Sequence, residues 1–368
     1  MQDAFRRHSV IFSEQADFYR RALLVTAILI LLLISASACA REEKDEVVKK
    51  LASQVLTLET DKGLAKFPIE VSANLTDVQP AITRAIVVIH GKGRNVDGYF
   101  EAIKKAAHEA GASATTLIIA PQFLNDVDIP AHRLDATFLR WKRGEWSAGE
   151  DADGPADISS FSVVDQLMMI LTDKTRFPAL KEVVLAGHSG GGQYVQRYAI
   201  VGHAIDKLTQ NGIALRFIVA NPSSYFYFDD ERPNNDGVLT HYAQAASCKN
   251  FNHWRYGPIH APSYVRQDLL VDLKKLYFSR PIIYLLGTAD TDPNHPDLDK
   301  SCAGEAQGPN RLMRGKAFFA YVQHQQADPK LQQFWLVLGV GHDDRAMFDS
   351  TCGVAALFES GTCSTRLP

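Results

Sequence analysis

Gly187-His188-Ser189-Gly190-Gly191 decides the reading of this chain. The pentapeptide is a G-x-S-x-G pattern that follows the apolar run Glu182-Val183-Val184-Leu185-Ala186 and precedes a helix-like segment. At a strand-to-helix turn this tight, side chains flanking the serine would collide. Glycine at both ends lets Ser189 take a strained conformation with its hydroxyl lifted toward solvent, and the Gly190 N–H then points into the same space. The pattern by itself is weak, because glycine-rich turns with serine are common. Its setting between a strand and a helix is what makes Ser189 a candidate nucleophile.

A serine hydroxyl attacks poorly unless a base takes its proton, and that base must be held in one tautomer by an acid. Both partners are present further along the chain. Pro281-Ile282-Ile283-Tyr284-Leu285-Leu286 reads as a buried strand, and Gly287-Thr288-Ala289-Asp290 places a carboxylate just past its end. Gln333-Phe334-Trp335-Leu336-Val337-Leu338 is another strand candidate, and Gly339-Val340-Gly341-His342 puts an imidazole on the loop after it. The chain order is Ser, Asp, His.

That order and spacing, over roughly residues 80 to 350, resemble the α/β-hydrolase superfamily, in which elbow, acid and histidine sit on loops at one edge of a mostly parallel sheet. The resemblance implies an α/β fold with a mostly parallel central sheet, helices on both faces and a cap insertion. It implies Ser189 as nucleophile, His342 as general base and Asp290 as the residue that orients it. Asp292 is the alternative acid, with Asp297 and Asp299 in the same loop. His295, beside that loop, reads as a surface turn residue.

An oxyanion hole needs two backbone donors aimed at the developing negative oxygen. The first is the Gly190 N–H. The loop after Arg84-Ala85-Ile86-Val87-Val88-Ile89 reads His90-Gly91-Lys92-Gly93-Arg94-Asn95 and resembles the family's His-Gly-x loop, which implies the Lys92 N–H as the second. Two readings of the Lys92 side chain stand: a stem that packs with its ammonium in water, or a cation that favours anionic substrates. His90 reads as a hydrogen-bonded structural residue. The loop lacks the Gly-Lys-Ser/Thr ending of a nucleotide-binding loop.

With 368 residues, 46% apolar and 22% charged, the chain suits a soluble globular body with a sizeable core. A net charge of −3 and the lack of a basic stripe argue against a nucleic-acid partner. Arg20-Arg21 precedes an apolar run from Ala22 to Ile34 and then Ser35-Ala36-Ser37-Ala38-Cys39, so 1–38 reads as an export signal. Three fates stay open: cleavage before a lipidated Cys39, ordinary cleavage at Ala36-Ser37-Ala38, or a retained anchor. Arginines before the run and Glu42, Glu43, Asp45 and Glu46 after it put the body outside the cytoplasm. That means an envelope, periplasmic or secreted protein, with membrane association through the N-terminus in two of the three cases.

Cysteine parity agrees. Without Cys39, four of the five cysteines remain, an even set that an oxidising compartment would pair. Of three pairings, Cys248 with Cys302 and Cys352 with Cys363 is preferred, because the second closes a short loop and the first ties a cap insertion to the acid loop. No Cys-x-x-Cys spacing supports zinc.

Residues 39–60 read as a tether or a short helix, with Val47, Leu51, Val55 and Leu58 on one face. The domain then occupies 61–368. Strands are expected over 67–73, 84–89 and 115–120, and helices over 96–110 and from Ser159 or Ser160 to Arg176. Roughly sixty residues separate the strand Leu215–Ala220 from the acid strand, so about 225–280 is assigned as a cap over the serine, with Tyr225, Phe226, Tyr227, Phe228, His253, Trp254 and Tyr256 to line a pocket or pack the cap. Trp141 and Trp146 form a second candidate rim. The run Asp290 to Asp299 reads as a solvated turn, since it has no EF-hand pattern.

The resemblance implies an exported serine hydrolase acting on small or polymeric carboxylic esters through an acyl-enzyme, with no metal or organic cofactor. Peptide hydrolysis and acyl transfer use the same groups, so a serine peptidase or acyltransferase stays open. So does a catalytically inactive binding protein of the cell envelope built on the same scaffold.

Overall fold

The computed structural model describes residues 46–265, 270–363 and 366–367; the signal-like segment 1–38 and Cys39 lie outside them. The strands are β1 (Gln54–Thr60), β2 (Gly63–Val71), β3 (Arg84–Ile89), β4 (Thr116–Pro121), β5 (Glu182–His188), β6 (Ala214–Ala220), β7 (Glu231–Pro233), β8 (Leu239–His241), β9 (Ile282–Gly287), β10 (Gln332–Val337) and β11 (Arg366–Leu367). Nine form one sheet in the order β1-β2-β4-β3-β5-β6-β9-β10-β11, and β7 with β8 makes a separate hairpin. The six strands from β4 to β10 are mutually parallel, and the outer pairings β1–β2, β2–β4 and β10–β11 are antiparallel.

The central strands are apolar at successive positions because both faces of a parallel sheet are covered. In β3, Ala85, Val87 and Ile89 point into one core while Ile86 and Val88 point into the other. Helices α1 (Val96–Glu109), α2 (Ser160–Leu171), α3 (Gly190–Val201), α4 (Arg311–His324) and α5 (Thr351–Phe358) supply the covers. From α1 and α5, Val96, Phe100, Ile103 and Leu357 fill the core over Ile86. From α2, α3 and α4, Phe161, Leu167, Tyr194, Tyr198 and Phe318 fill the core over Val87. Phe161 is fully buried, so Phe161→Ala would cost about 3–5 kcal/mol.

Helix boundaries follow local chemistry. The Ser159 hydroxyl accepts from the Phe161 N–H and starts α2. The helix expected to reach Arg176 stops at Leu171, where the Thr172 hydroxyl donates to the Met169 carbonyl and the Asp173 carboxylate accepts the Thr175 N–H. These short side chains offer the backbone a turn in place of the next helical bond. Helix α1 ends as expected, with Gly111 at φ +64.

The tether reading of 39–60 is corrected over its described part. Gln54–Thr60 is a sheet strand paired along its whole length with β2, and Leu58 is buried. The two-residue period of Leu56 and Leu58 outweighs the helical spacing of Val47, Leu51, Val55 and Leu58, and Val55 is exposed. Upstream, the Val48 N–H donates to Asp128 and the Ala52 N–H to Gln122, so the segment is docked on the body.

Both preferred disulfides are present. Cys248–Cys302 spans 54 residues and ties the excursion between β6 and β9 to the chain after the acid loop; Cys352–Cys363 spans 11. Two disulfides fit an extracellular protein. Tyr225, Phe226 and Tyr227 at the start of the excursion are fully buried, and Tyr225 stacks on Phe318 of α4 at 4.6 Å, so these rings build the core.

Candidate active site

The turn between β5 and α3 holds Ser189 at φ 59°, ψ −120°, a left-handed conformation that costs a non-glycine residue energy. The turn survives because its neighbours leave no alternative. A side chain at Gly187 would strike the Gly191 backbone, and one at Gly191 would strike the carbonyls of Ile89 and His90 at the end of β3. The Ser189 N–H is fixed by the Ala220 carbonyl at 2.9 Å.

The loops after β9 and β10 are stitched together. Thr288 N–H donates to the Val337 carbonyl at 3.0 Å, Ala289 N–H to that of Val340 at 2.9 Å, and Gly339 N–H to the Thr288 hydroxyl at 2.9 Å. Asn221, at the end of β6, accepts the Gly287 N–H at 2.9 Å and donates to the Gly341 carbonyl at 3.2 Å. One amide thus sets the acid loop and the histidine loop at a fixed separation.

The result brings three distant side chains together. His342 Nε2 is 2.9 Å from Ser189 Oγ, and His342 Nδ1 is 2.8 Å from Asp290 Oδ2. Asp290 is 3% exposed, so its carboxylate is held out of bulk water while it faces the imidazole. Asp292 is exposed and accepts the Asn294 N–H in a surface turn, Asp297 faces Lys92, and Asp299 accepts from Tyr256 and Ser301. Among the described residues no group of three His, Cys, Asp or Glu side chains is placed to hold a metal ion.

The Lys92 backbone nitrogen lies 3.4 Å from where a Gly190 Cβ would stand, so the two amides border the same space beside Ser189. His90 anchors the loop: Nδ1 donates to the Gly91 carbonyl at 2.8 Å and Nε2 accepts the Phe123 N–H at 3.0 Å. Burial drives its pKa down to about 3, so it stays neutral and structural. A buried ion pair between Arg94 and Asp128, at 3.3 Å, pins the far end of the loop. The half-exposed Lys92 ammonium lies 3.5 Å from Asp297, so it reaches outward, toward a carboxylate.

Several neighbours of the site have roles that the sequence did not give. The His188 ring packs 4.6 Å from that of His342, and burial first, then His342 and Arg311, hold it well below the usual histidine range. His295 is not a remote turn residue: its ring is 4.9 Å from His342, edge to face, and burial lowers its pKa too. Arg311, the first residue of α4, is fully buried with a guanidinium nitrogen 3.6 Å from Asp290 Oδ1. Trp141 and Trp146 are core residues, not a rim; Trp146 stacks on Phe123 at 5.2 Å and packs against His90. Only Asn221, at a strand end before proline, had a local hint, the polar residue closing an apolar run.

A serine, imidazole and carboxylate in hydrogen-bond series, with two amides beside the serine, can generate an alkoxide-like nucleophile and hold an oxyanion. The sheet order, the helices on both faces and the loop positions define the α/β-hydrolase fold, and this chain has it. No protein-family model and no curated protein matches the sequence. Among solved structures, it is similar to poly(aspartic acid) hydrolase-1 from Sphingomonas sp. KT-1, at 23% identity over 81% of this chain and 96% of that one, with a TM-score of 0.54. It is also similar to the poly(3-hydroxybutyrate) depolymerase LpqC from Bordetella parapertussis, at 21% identity over 82% of this chain and 86% of that one, with a TM-score of 0.53.

Proposed function

We propose that the protein is an exported serine hydrolase that cleaves carboxylic esters through an acyl-enzyme. The observation that carries the reading is the unbroken chain from Ser189 Oγ through His342 to Asp290. Ser189 attacks the ester carbonyl while His342 Nε2 accepts its proton, and Asp290 steadies the imidazolium. The Gly190 and Lys92 amides take the tetrahedral oxyanion. His342 returns the proton to the leaving alcohol, and water repeats the cycle on the acyl-enzyme. The excursion over 225–280 acts as a cap that selects the acyl and alcohol groups, small or polymeric. Export is supported by the two disulfides and by the charge asymmetry around 22–40, and it ends either in a lipid anchor at Cys39, in a retained N-terminal anchor or in release after cleavage at Ala36-Ser37-Ala38.

Turnover of p-nitrophenyl acetate and butyrate, with covalent labelling by a fluorophosphonate probe, tests the reading. Wild type is expected to turn over and label, and Ser189→Ala to do neither. A folded wild type that never labels points to a binding protein on the same scaffold, and labelling that survives Ser189→Ala points to another nucleophile. A panel of acyl-chain lengths with aromatic, sugar and polymeric esters then assigns the substrate.

A further inference from the structure

The carboxylate of Asp290 has two oxygens, and the mechanism uses one. Oδ2 meets His342 at 2.8 Å; Oδ1 faces the Arg311 guanidinium at 3.6 Å, with both side chains all but completely buried. Arg311 is 0% exposed, and the Asp290 carboxylate is the acceptor its guanidinium faces among the described residues. A guanidinium removed from water is costly unless its donors are met, and a structural role ordinarily meets them with several acceptors, as two carbonyls and a hydroxyl do through four hydrogen bonds for the equally buried Arg197 of α3. What Arg311 does have is the charge of Asp290 in front of it. The same turn of α4 also grips the acid's main chain, through the Leu312 N–H to the Asp290 carbonyl at 3.2 Å.

We infer that Arg311 is the positioning residue of the triad acid: it holds Oδ1 of Asp290 so that Oδ2 faces His342, and its buried charge opposes protonation of the Asp290–His342 pair. The inference rests on the roles proposed above for Ser189, His342 and Asp290. With Arg311 in place, the deprotonated pair and the guanidinium sum to zero charge. Without it, the deprotonated pair is a lone buried anion, and a proton on His342 relieves it. The other charged or titratable groups around the pair are His188 at the end of β5, the buried Tyr225 after β6, whose phenol burial keeps neutral, His295, Asp292 and Asp297 of the acid loop, and Asp343 and Asp344 after His342. Both histidines are held toward the neutral form by burial, Asp297 faces Lys92, and Asp292 is exposed, so Arg311 is the cation set directly against the acid.

The test follows the titration of the His342 imidazole by NMR in the full exported chain, beside the acid limb of kcat/KM. The NMR midpoint does not depend on turnover, so it separates failure of this inference from failure of the esterase reading. In Arg311→Gln the midpoint and the limb are expected to rise together by about one pH unit, the scale of a nearby opposite charge. Arg311→Met, which leaves no buried amide, should give the same rise, and Arg311→Lys should keep the wild-type midpoint because it keeps the charge. A folded Gln or Met variant with an unmoved midpoint overturns the inference. If neither uncharged variant folds, Arg311→Lys decides: a folded protein with the wild-type midpoint supports the role, and a Lys variant that also fails to fold, or moves the midpoint, overturns it.

Discussion

The imidazoles of His188 and His342 lie 4.6 Å apart at an interplanar angle of 33°, so the residue just before Ser189 forms a wall for the His342 ring. His188 is buried, its Nδ1 meets the Tyr99 hydroxyl at 3.3 Å, and burial holds it well below the ordinary histidine range. A second imidazolium at this distance would compete with protonation of His342, and burial prevents it.

One consequence is kinetic. In the proposed mechanism one group, His342, has to lose a proton, and burial holds the neighbouring His188 in its neutral form. The logarithm of kcat/KM against pH is therefore expected to fall on the acid side with a slope of one, and His188→Asn should leave that slope unchanged. A slope approaching two in wild type, reverting to one in His188→Asn, would place a second titrating histidine in the site.

The acid loop offers four aspartates, and the structure aims one of them at His342. Asp290→Asn is expected to lower kcat by about 10⁴-fold, because the amide favours the wrong imidazole tautomer. Asp292→Asn, in an exposed turn, should stay within about twofold of wild type, as surface changes away from buried features usually do. Steady-state kinetics on p-nitrophenyl butyrate compares the two, and a large loss in the second with none in the first would exchange their roles.

Gly191 is fixed by backbone on the opposite side of the turn. A Cβ there meets the Ile89 and His90 carbonyls, which cannot rotate away. Gly191→Ala is expected to destabilise by about 1–3 kcal/mol, the range for forcing extra volume into a packed interior, and to displace Ser189. Gly93→Ala, whose Cβ would have only the Asn95 side chain at 3.5 Å, is the control. Urea unfolding of the two variants gives the comparison; equal midpoints would mean that the elbow yields where the packing says it cannot.

The two disulfides close loops of different length, and in a chain-entropy account the longer loop restrains the unfolded chain more. Replacing Cys248 and Cys302 by alanine is expected to cost about 4 kcal/mol, against about 3 kcal/mol for Cys352 and Cys363. Chemical denaturation of the two double variants measures this order, and reversal would show that native-state packing at Cys352–Cys363 outweighs loop entropy.

The sequence alone determined the class of fold and the three side chains of the candidate site. A nucleophile elbow needs glycines at fixed positions, and parallel strands buried on both faces are apolar without interruption, so both leave a mark along the chain. Local pattern also placed β3, β5, β6, β9 and α1 to within a residue or two. It misread Gln54–Thr60, because a strand at the sheet's edge is defined by the partner it meets across the turn at Gly63, and it ran α2 past Leu171, where hydroxyls and a carboxylate capture the backbone. Tertiary structure alone decided that Asn221 joins the loops after β9 and β10, that His188 and His295 close around His342, and that Arg311 stands behind Asp290. These groups are separated by tens of residues and obey no spacing rule. What relates them is burial and charge in a shared volume, and that volume exists only once the sheet has brought its strand ends together.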